Sequence, residues 1–136
     1  MIDLYRVRAE QLMTRAIVFA EPSDTLQQAA ELMAKHRIHC LLIDLKAPGR
    51  GLGIITGKDI VQLFTEMEPR ELSEVVVSDV MSLPTVSVPP DLCVRDCVSL
   101  MVNSGVRRVV VVDGTEPIGL FSYTDVMDAI AGLRDV

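Results

Sequence analysis

Long apolar runs, paired cysteines and an excess of basic residues are all missing from this 136-residue sequence. Charged residues interrupt every apolar stretch well before the roughly 18 residues that a membrane helix needs, so we expect no membrane span. The chain does not open with a basic flank followed by an apolar stretch, which predicts no signal peptide and a cytoplasmic protein. The formal net charge is −6, and this acidic balance argues against nucleic-acid binding.

The cysteines are few and do not form a recognisable ligand set. Cys40, Cys93 and Cys97 make an odd count with no C-x-x-C pair, which favours reduced thiols when no secretory signal is present. His36 and His39 lie beside Cys40, but a tetrahedral metal site needs four ligands and each cluster alone is incomplete. We therefore predict three reduced thiols buried among apolar side chains, and no metal.

Signatures of catalysis are also missing. The sequence contains neither a Ser-His-Asp arrangement nor a Gly-rich phosphate loop of the G-x-x-x-x-G-K form. No set of residues resembles a general acid–base pair or an activated nucleophile. These absences predict a binding protein rather than an enzyme.

The chain instead contains two copies of one unit, and hydrophobic residues make up 49% of it, enough for a folded core. Leu12-Met13 aligns with Val80-Met81 at an offset of 68 residues, and at that offset the apolar run 41–43 falls on 109–111. A longer turn at 45–51 in the first copy then reduces the offset to 66. We predict one domain over 1–68 and a second over 69–136.

Each copy predicts the element order β-α-β-β-α. An extended piece opens the copy, an amphipathic helix follows, two strands flank a Gly-bearing turn, and a second helix closes it. The expected extended pieces are 16–19 and 85–88, the strands 39–44, 52–56, 108–113 and 118–122, and the later helices 58–66, 71–76 and 124–133. Asp24 is the expected N-cap of the first amphipathic helix. The run Val109–Val112 predicts a central strand that is covered on both faces.

One motif occurs in both copies at the junction of the second hairpin strand and the closing helix. It reads Gly, two apolar residues, a hydroxyl residue, two free positions and Asp, from Gly53 to Asp59 and from Gly119 to Asp125. In one interpretation the hydroxyl caps the helix and the acid complements the helix dipole. In the other, the helix N-terminus and the hydroxyl hold a phosphate, the acid accepts both ribose hydroxyls, and the glycine lets a ligand approach the strand. The residues alone leave both interpretations open.

The two copies resemble CBS (cystathionine β-synthase) domains, and the tandem resembles a Bateman module. The resemblance rests on Leu12-Met13-Thr14 and Asp79-Val80-Met81, on the Pro-Ser-Asp-Thr-Leu and Pro-Pro-Asp-Leu helix starts, and on the two Gly-to-Asp motifs. It implies an α/β (α+β) fold in which two β-α-β-β-α units pack about a pseudo-twofold axis and leave two clefts. In many relatives such clefts bind AMP, ADP, ATP or S-adenosylmethionine, and the ligand regulates a partner domain or protein.

The resemblance also implies which residues would contact a ligand. Ribose binding falls on Asp59 and Asp125. Phosphate contact falls on Thr56, Ser122, Arg37, Lys58, Arg107 and Arg108. The base would lie against Ile17, Val18, Ile38, Thr85, Val86 and Val106. Tyr123 stands where the first copy has Gly57, so we expect the two clefts to differ in affinity.

The sequence therefore predicts a regulatory module that binds an adenosine-containing ligand, requires no cofactor and modulates an unknown partner protein. A homodimer is expected, since modules of this family commonly pair and a twofold interface is the commonest oligomer. The apolar helix residues that need cover are Leu63, Phe64, Val126, Met127 and Ile130. The alternatives are a ligand-free dimerisation or interaction module, an S-adenosylmethionine sensor and, against the acidic balance, a nucleic-acid-binding protein.

Overall fold

The computed structural model describes residues 2–46 and 51–134. Its helices and strands alternate along the chain, as a mixed α+β protein requires. In chain order they are α1 (Ala9–Leu12), β1 (Phe19–Ala20), α2 (Leu26–His36), β2 (Cys40–Asp44), β3 (Leu52–Thr56), α3 (Gly57–Gln62), β4 (Ser87–Val88), α4 (Val94–Ser104), β5 (Arg108–Asp113), β6 (Glu116–Ser122) and α5 (Tyr123–Ile130). The predicted fold class and the order β-α-β-β-α in each repeat are confirmed.

The six strands form two three-stranded sheets with the same topology. In the first sheet the order is β1-β2-β3, with β1 parallel and β3 antiparallel to the central β2. In the second sheet β4 is likewise parallel and β6 antiparallel to the central β5. The valine run in β5 is central as predicted, and Val109–Val111 are buried, whereas Val112 is half-buried beside an irregularity in the β5–β6 pairing.

The compact units of the chain differ from the sequence boundary between residues 68 and 69. One unit, the β1–β3 unit, consists of Val18–Thr85, and the other, the β4–β6 unit, consists of Met1–Ile17 together with Val86–Val136. Each unit thus contains the main part of one repeat and the short segment that opens the other repeat. We call this segment the leader; the leader of the first repeat ends at Ile17 and that of the second repeat ends at Thr85. The domain prediction treated each leader as part of the repeat that follows it, because sequence repeats show equivalence and do not show which segments pack together.

Paired backbone hydrogen bonds attach each leader to its sheet. In the β4–β6 unit Thr14 donates to the Leu120 carbonyl at 2.8 Å, and Leu120 donates back at 2.9 Å. In the β1–β3 unit Ser82 and Ile54 exchange the equivalent bonds at 2.9 and 3.0 Å. The exchange is therefore symmetric between the repeats, and each leader satisfies the backbone of an edge strand.

Each unit has its own hydrophobic core. The β1–β3 unit buries side chains from α2, its sheet and the turns after α3, including Leu26, Ile43 and Val77. The β4–β6 unit buries Leu12 and Met13 of its leader against α4 and the sheet, where Phe121 is fully buried. Both cores thus depend on apolar residues from a leader, which explains why the Leu-Met and Val-Met pairs repeat.

The cap of α2 lies one residue later than predicted. Thr25 is the N-cap: its hydroxyl accepts the Gln28 N–H at 3.1 Å, while the Gln28 side chain accepts the Thr25 N–H at 2.8 Å. Asp24 instead accepts the N–H of Glu21 and shapes the preceding turn. The prediction was wrong because Asp24-Gln27 and Thr25-Gln28 both fit the capping pattern, and only the backbone decides between them.

Several predicted boundaries also shift. The first extended segments shorten to the two-residue strands β1 and β4. The closing helix α3 begins at Gly57 and passes into a 3₁₀ turn at Leu63–Thr65, and α5 ends at Ile130. The expected helix at 71–76 is replaced by 3₁₀ turns at Pro69–Ser73 and Val77–Asp79. Most of the longer turn of the first repeat, residues 47–50, lies outside the described residues.

The glycine of each Gly-to-Asp motif makes room for a methionine of the leader. A Cβ on Gly119 would lie 2.5 Å from Met13 Sδ and 3.1 Å from the Thr14 carbonyl oxygen. A Cβ on Gly53 would lie 2.7 Å from Met81 Sδ. In the ligand interpretation of the motif these glycines let a ligand approach the strand; in the structure the groups beside them belong to the leaders.

We expect Gly119→Ala to lower the free energy of unfolding by about 1–3 kcal/mol, because the added methyl group overpacks the contact with Met13 and Thr14. Gly53→Ala should cost less, since its nearest neighbours are the flexible end of Met81 and the Ile43 side chain, not backbone. Gly57→Ala is the matched control, because its Cβ would meet only the His39 carbonyl oxygen, at 3.9 Å. Urea denaturation of the three variants checks the order, which would be contradicted if Gly57→Ala were the most damaging.

The three cysteines are free thiols and all are buried. Cys97, in α4, has no exposed surface, and its burial, followed by the nearby Cys93 and Asp96, raises the pKa of its thiol from an ordinary value of 9.0 to about 11. Among the residues that the structure describes, no three His, Cys, Asp or Glu side chains gather into a group suited to a metal ion.

The raised pKa of Cys97 predicts an alkaline loss of stability. The unfolded chain releases this proton near pH 9, and the folded chain releases it only near pH 11. The folded state is therefore favoured most below about pH 9, and the free energy of unfolding should fall as the pH rises from about 9 to about 11. Cys97→Ala should show a shallower decline over this range in urea melts. An identical slope in the parent and the variant would contradict the assignment.

Candidate functional site

The motif from Gly53 to Asp59 places its hydroxyl and its acid at the junction of β3 and α3. The Thr56 hydroxyl accepts the Asp59 N–H at 3.2 Å, and Asp59 Oδ2 accepts the Thr56 N–H at 2.9 Å. This reciprocal pair is a capping box, so the structural interpretation of the motif is realised. The ligand interpretation is not excluded by it, because the carboxylate still has a second oxygen.

That second oxygen, Asp59 Oδ1, has no hydrogen bond or ion pair to a side chain in the described part of the β1–β3 unit. Asp59 is half-buried, and its orientation is fixed through Oδ2. A carboxylate that is held on one side and open on the other can accept hydrogen bonds from a ligand without first losing protein contacts.

The equivalent acid, Asp125, has a different environment, with only 2% of its surface exposed. Its Oδ2 accepts the Ser122 N–H at 2.8 Å and the Ser122 hydroxyl at 3.2 Å. Its Oδ1 accepts the Thr14 hydroxyl at 3.0 Å and pairs with Arg134 Nη2 at 2.8 Å. The two ribose candidates are therefore equivalent in sequence and unequal in structure.

Three of the phosphate candidates lie together in the β4–β6 unit. Arg107, Arg108 and Ser122 line a pocket of about 430 Å³, and Tyr123 and Thr124 complete its wall. Two guanidinium groups beside the first turn of α5 make this pocket suited to an anionic group. Tyr123, which is 40% exposed, lines this pocket, and Gly57 at the equivalent position lines the cavity of the other repeat. A difference in affinity between the two clefts stays a prediction.

The corresponding cavity of the β1–β3 unit is less basic. It has a volume of about 400 Å³ and lies between the end of α2, the start of β2 and α3. Of the candidates, Arg37 and Ile38 line it, whereas Thr56 and Lys58 do not. Arg37 adopts a left-handed conformation with φ 54° at the C-cap of α2, where α4 uses Gly105. Arg37, Lys58 and Thr56 therefore do not share this cavity, whereas Arg107, Arg108 and Ser122 share the pocket of the second repeat.

The base candidates are all half-buried. They divide between the compact units, since Ile17, Val86 and Val106 belong to the β4–β6 unit and Val18, Ile38 and Thr85 belong to the β1–β3 unit. Ile38, Val18, Val86 and Val106 pack against the edges of the two cores. Their role as core residues is thereby established, and their contact with a base stays a prediction.

Sequence reasoning missed two functional neighbours of Asp125, namely Thr14 and Arg134. Thr14 was part of the Leu-Met-Thr motif, but the exchange of leaders was needed to bring it to the second repeat. Arg134 lies beyond the last matched element, at an offset where the first repeat has Glu68. The mismatch between Arg134 and Glu68 was the one sign in the sequence that the two acids have different neighbours.

The described residues contain no helix with the length and apolar character needed to cross a lipid bilayer.

Comparison with known proteins identifies the family. The family model for the CBS domain matches residues 9–66 and again 77–132. The chain therefore belongs to the CBS-domain family and contains two such domains in tandem, as the resemblance implied.

Two curated relatives fit this assignment. The CBS domain-containing protein YhcV of Bacillus subtilis is 32% identical over 113 residues, which are 83% of this chain and 78% of that protein. An uncharacterized protein of Methanopyrus kandleri is 30% identical over 122 residues, which are 89% of this chain. The chain spans 61% of the length of the Methanopyrus protein.

Solved structures of CBS proteins share the fold. A hexameric CBS-CP12 protein from bloom-forming cyanobacteria has a TM-score of 0.81 and 26% identity, with 89% of this chain and 70% of that chain covered. The CBS domain of a bacterial CNNM/CorC family Mg²⁺ transporter, solved in complex with ATP, has a TM-score of 0.79 and 21% identity over 95% of this chain and 90% of that one. A CBS domain pair in complex with 5′-methylthioadenosine and S-adenosyl-L-methionine has a TM-score of 0.77 and 20% identity over 94% and 98%.

Proposed function

We propose that this tandem CBS module binds an adenosine-containing ligand of the AMP, ADP or ATP class through Asp59 and thereby modulates a partner protein. The observation that carries the proposal is the geometry of Asp59, which is fixed through Oδ2 and open at Oδ1. Such a carboxylate is suited to the hydroxyls of a ribose. The ligands named for two solved CBS structures, ATP and S-adenosyl-L-methionine with 5′-methylthioadenosine, share an adenosine group, which supports this ligand class.

The remaining candidates have supporting roles in this proposal. Arg107, Arg108 and Ser122 would receive an anionic group in the pocket that they line. Arg37 would do so in the cavity of the β1–β3 unit. Thr56 serves chiefly as the helix cap that holds Asp59 in place. We infer a binding role rather than a catalytic one, and we place the protein in the cytoplasm, where its buried thiols would stay reduced.

Calorimetric titration with AMP, ADP, ATP and S-adenosylmethionine tests the proposal, with GTP and 2′,3′-dideoxy-AMP as controls. We expect saturable binding of at least one adenosine ligand, weak or absent binding of GTP, and loss of affinity when the ribose hydroxyls are removed. Preference for S-adenosylmethionine over every nucleotide would favour the sensor alternative. Absence of any heat or thermal shift with the whole panel would overturn the proposal and favour a ligand-free interaction module.

A surface suited to self-association favours the homodimer as part of this proposal. Met127 and Ile130 are three residues apart in α5 and are 60% and 51% exposed, and Leu133, which follows the helix, is 76% exposed. Val61 and Phe64 occupy the equivalent positions in the first repeat and are 62% and 40% exposed. Two residues of the expected set, Leu63 and Val126, instead pack against the cores of their own units.

We expect light scattering to report a mass near 30 kDa, twice the 14.9 kDa of one chain, at micromolar concentration. The double variant Met127→Glu/Ile130→Glu should shift the mass toward the monomer, because two charges would have to be desolvated at the interface. Arg70→Glu, which changes an exposed residue that is not one of these apolar residues, is the control. A parent protein that stays monomeric across the concentration range would contradict the dimer.

A further inference from the structure

The hydrogen-bonding capacity of the Asp125 carboxylate is fully used by the protein itself. An ionised carboxylate offers about four lone-pair positions. Ser122 supplies two donors to Oδ2, and Thr14 and Arg134 supply two donors to Oδ1. A ribose cannot bind this carboxylate with its hydroxyls unless at least one of these donors leaves.

Arg134 is the donor that comes from the chain beyond α5. Gly132, with φ 79°, reverses the chain after α5, and Leu133 N–H then bonds back to the Asp128 carbonyl at 2.8 Å. This turn directs the Arg134 guanidinium toward α5, where it also lies 3.8 Å from the Asp128 carboxylate.

The guanidinium of Arg134 bridges two segments of the β4–β6 unit. Its Nη1 donates to the Leu12 carbonyl at 2.7 Å while its Nη2 contacts Asp125 at 2.8 Å. The side chain keeps 31% of its surface exposed, so it can leave without unpacking the core. Thr14 and Ser122 lie in segments whose backbone is paired, whereas Arg134 lies beyond the end of α5.

Within the described residues of the first repeat, Asp59 has no equivalent of Arg134. At the corresponding position Glu68 replaces Arg134, and an acid cannot pair with Asp59. Ser82 replaces Thr14, and its hydroxyl makes no hydrogen bond to Asp59 among the described residues. One carboxylate of the module is therefore open and the other is occupied by its own chain.

We propose that Arg134 acts as an internal competitor for the second nucleoside site, so that the module binds one adenosine ligand at Asp59 and binds a second only when the Arg134 side chain is displaced. The competition rests on the proposed function, because it assumes that the ligand offers ribose hydroxyls to Asp125. A ligand that enters the second site must displace the Arg134 guanidinium from the Leu12 carbonyl and from Asp125. Occupancy of that site is thus coupled to the position of the Arg134 side chain.

Calorimetry with AMP on the full chain and on Arg134→Ala tests the proposal. We expect the parent to bind one equivalent tightly and Arg134→Ala to bind two, with the affinity of the second equivalent raised about 10- to 100-fold, the range expected when charge-assisted hydrogen bonds no longer have to be broken. The gain should disappear with 2′,3′-dideoxy-AMP, which lacks the hydroxyls that would replace the guanidinium.

Three further variants separate the possible causes. Arg134→Lys keeps the charge but cannot reach Leu12 and Asp125 together as a guanidinium does, so an intermediate gain is expected. Arg6→Ala is the matched control, since it removes another arginine of the same unit that pairs only with the exposed Asp3. Asp59→Ala should remove the first equivalent and leave the second equivalent of an Arg134→Ala background intact. Circular dichroism establishes that each variant is folded.

The results distinguish this proposal from the proposed function. Two equal equivalents in the parent, unchanged by Arg134→Ala, would overturn the competition and leave ligand binding established. A parent that binds no AMP would overturn the role of Asp59, and one equivalent gained by Arg134→Ala would still support the competition. No gain in either folded Arg134 variant would overturn it.

Discussion

Asp59→Ala is expected to weaken binding of the preferred adenosine ligand by roughly 10- to 100-fold, because it removes charge-assisted hydrogen bonds worth about 1.5–3 kcal/mol. The carboxylate is held through Oδ2 and presents Oδ1 without a competing side chain, so nearly all of its accepting capacity on that side is available to the ligand. Calorimetric titration of the variant with the ligand chosen by the parent measures the effect.

The stability of the same variant must be measured alongside its affinity. Loss of the acid also breaks the capping box with Thr56, and such a change costs about 0.5–2 kcal/mol. Thr56→Ala is the matched control, because it removes the hydroxyl half of the box and keeps the backbone N–H of residue 56 that orients the Asp59 carboxylate. If the acid serves only as a cap, both variants should lose stability and keep full affinity. A loss of affinity confined to Asp59→Ala supports the ribose contact.

The internal repeat and the apolar runs allowed the element order and several strands to be predicted from the sequence. The bounds of strands β2, β3 and β5 were predicted to within a residue or two. An apolar run flanked by turn residues marks both ends of a strand in the sequence itself. The exchange of leaders was not predictable in this way. Thr14 pairs with Leu120 across more than a hundred residues, and internal similarity shows only that Thr14 and Ser82 occupy equivalent positions.

The contacts of the candidate site could be predicted where the partners are close in sequence. They could not be predicted where the partners are brought together only by the fold. The partnership of Thr56 with Asp59 follows from a three-residue spacing at a helix start, and the sequence contained it. The saturation of Asp125 depends on Thr14, Ser122 and Arg134, of which Ser122 alone is near in sequence. The two identical motif patterns therefore predicted two similar sites. The contacts made by the fold leave Asp59 open and Asp125 occupied.

Asp125→Ala is expected to lower the free energy of unfolding by about 1–3 kcal/mol, the range for leaving buried hydrogen-bonding groups unsatisfied. The change removes the acceptor of the Thr14 hydroxyl and of the Ser122 N–H, while Arg134 keeps its contacts with the Leu12 carbonyl and Asp128. Asp59→Ala removes the same residue type at the equivalent motif position and is expected to cost only the cap. The difference between the two variants in urea denaturation therefore measures what Thr14 and Arg134 add.

A double-mutant cycle with Asp125→Ala and Arg134→Ala measures how much of that difference in stability comes from the Asp125–Arg134 ion pair. Removing Arg134 alone leaves Asp125 buried with Thr14 and Ser122 still donating to it. Removing both residues eliminates the charge and its partner together, so the double variant should be more stable than the sum of the single losses predicts. Purely additive losses would show that the 2.8 Å contact between Arg134 and Asp125 contributes little, and the competition for the second site would then lack its energetic basis.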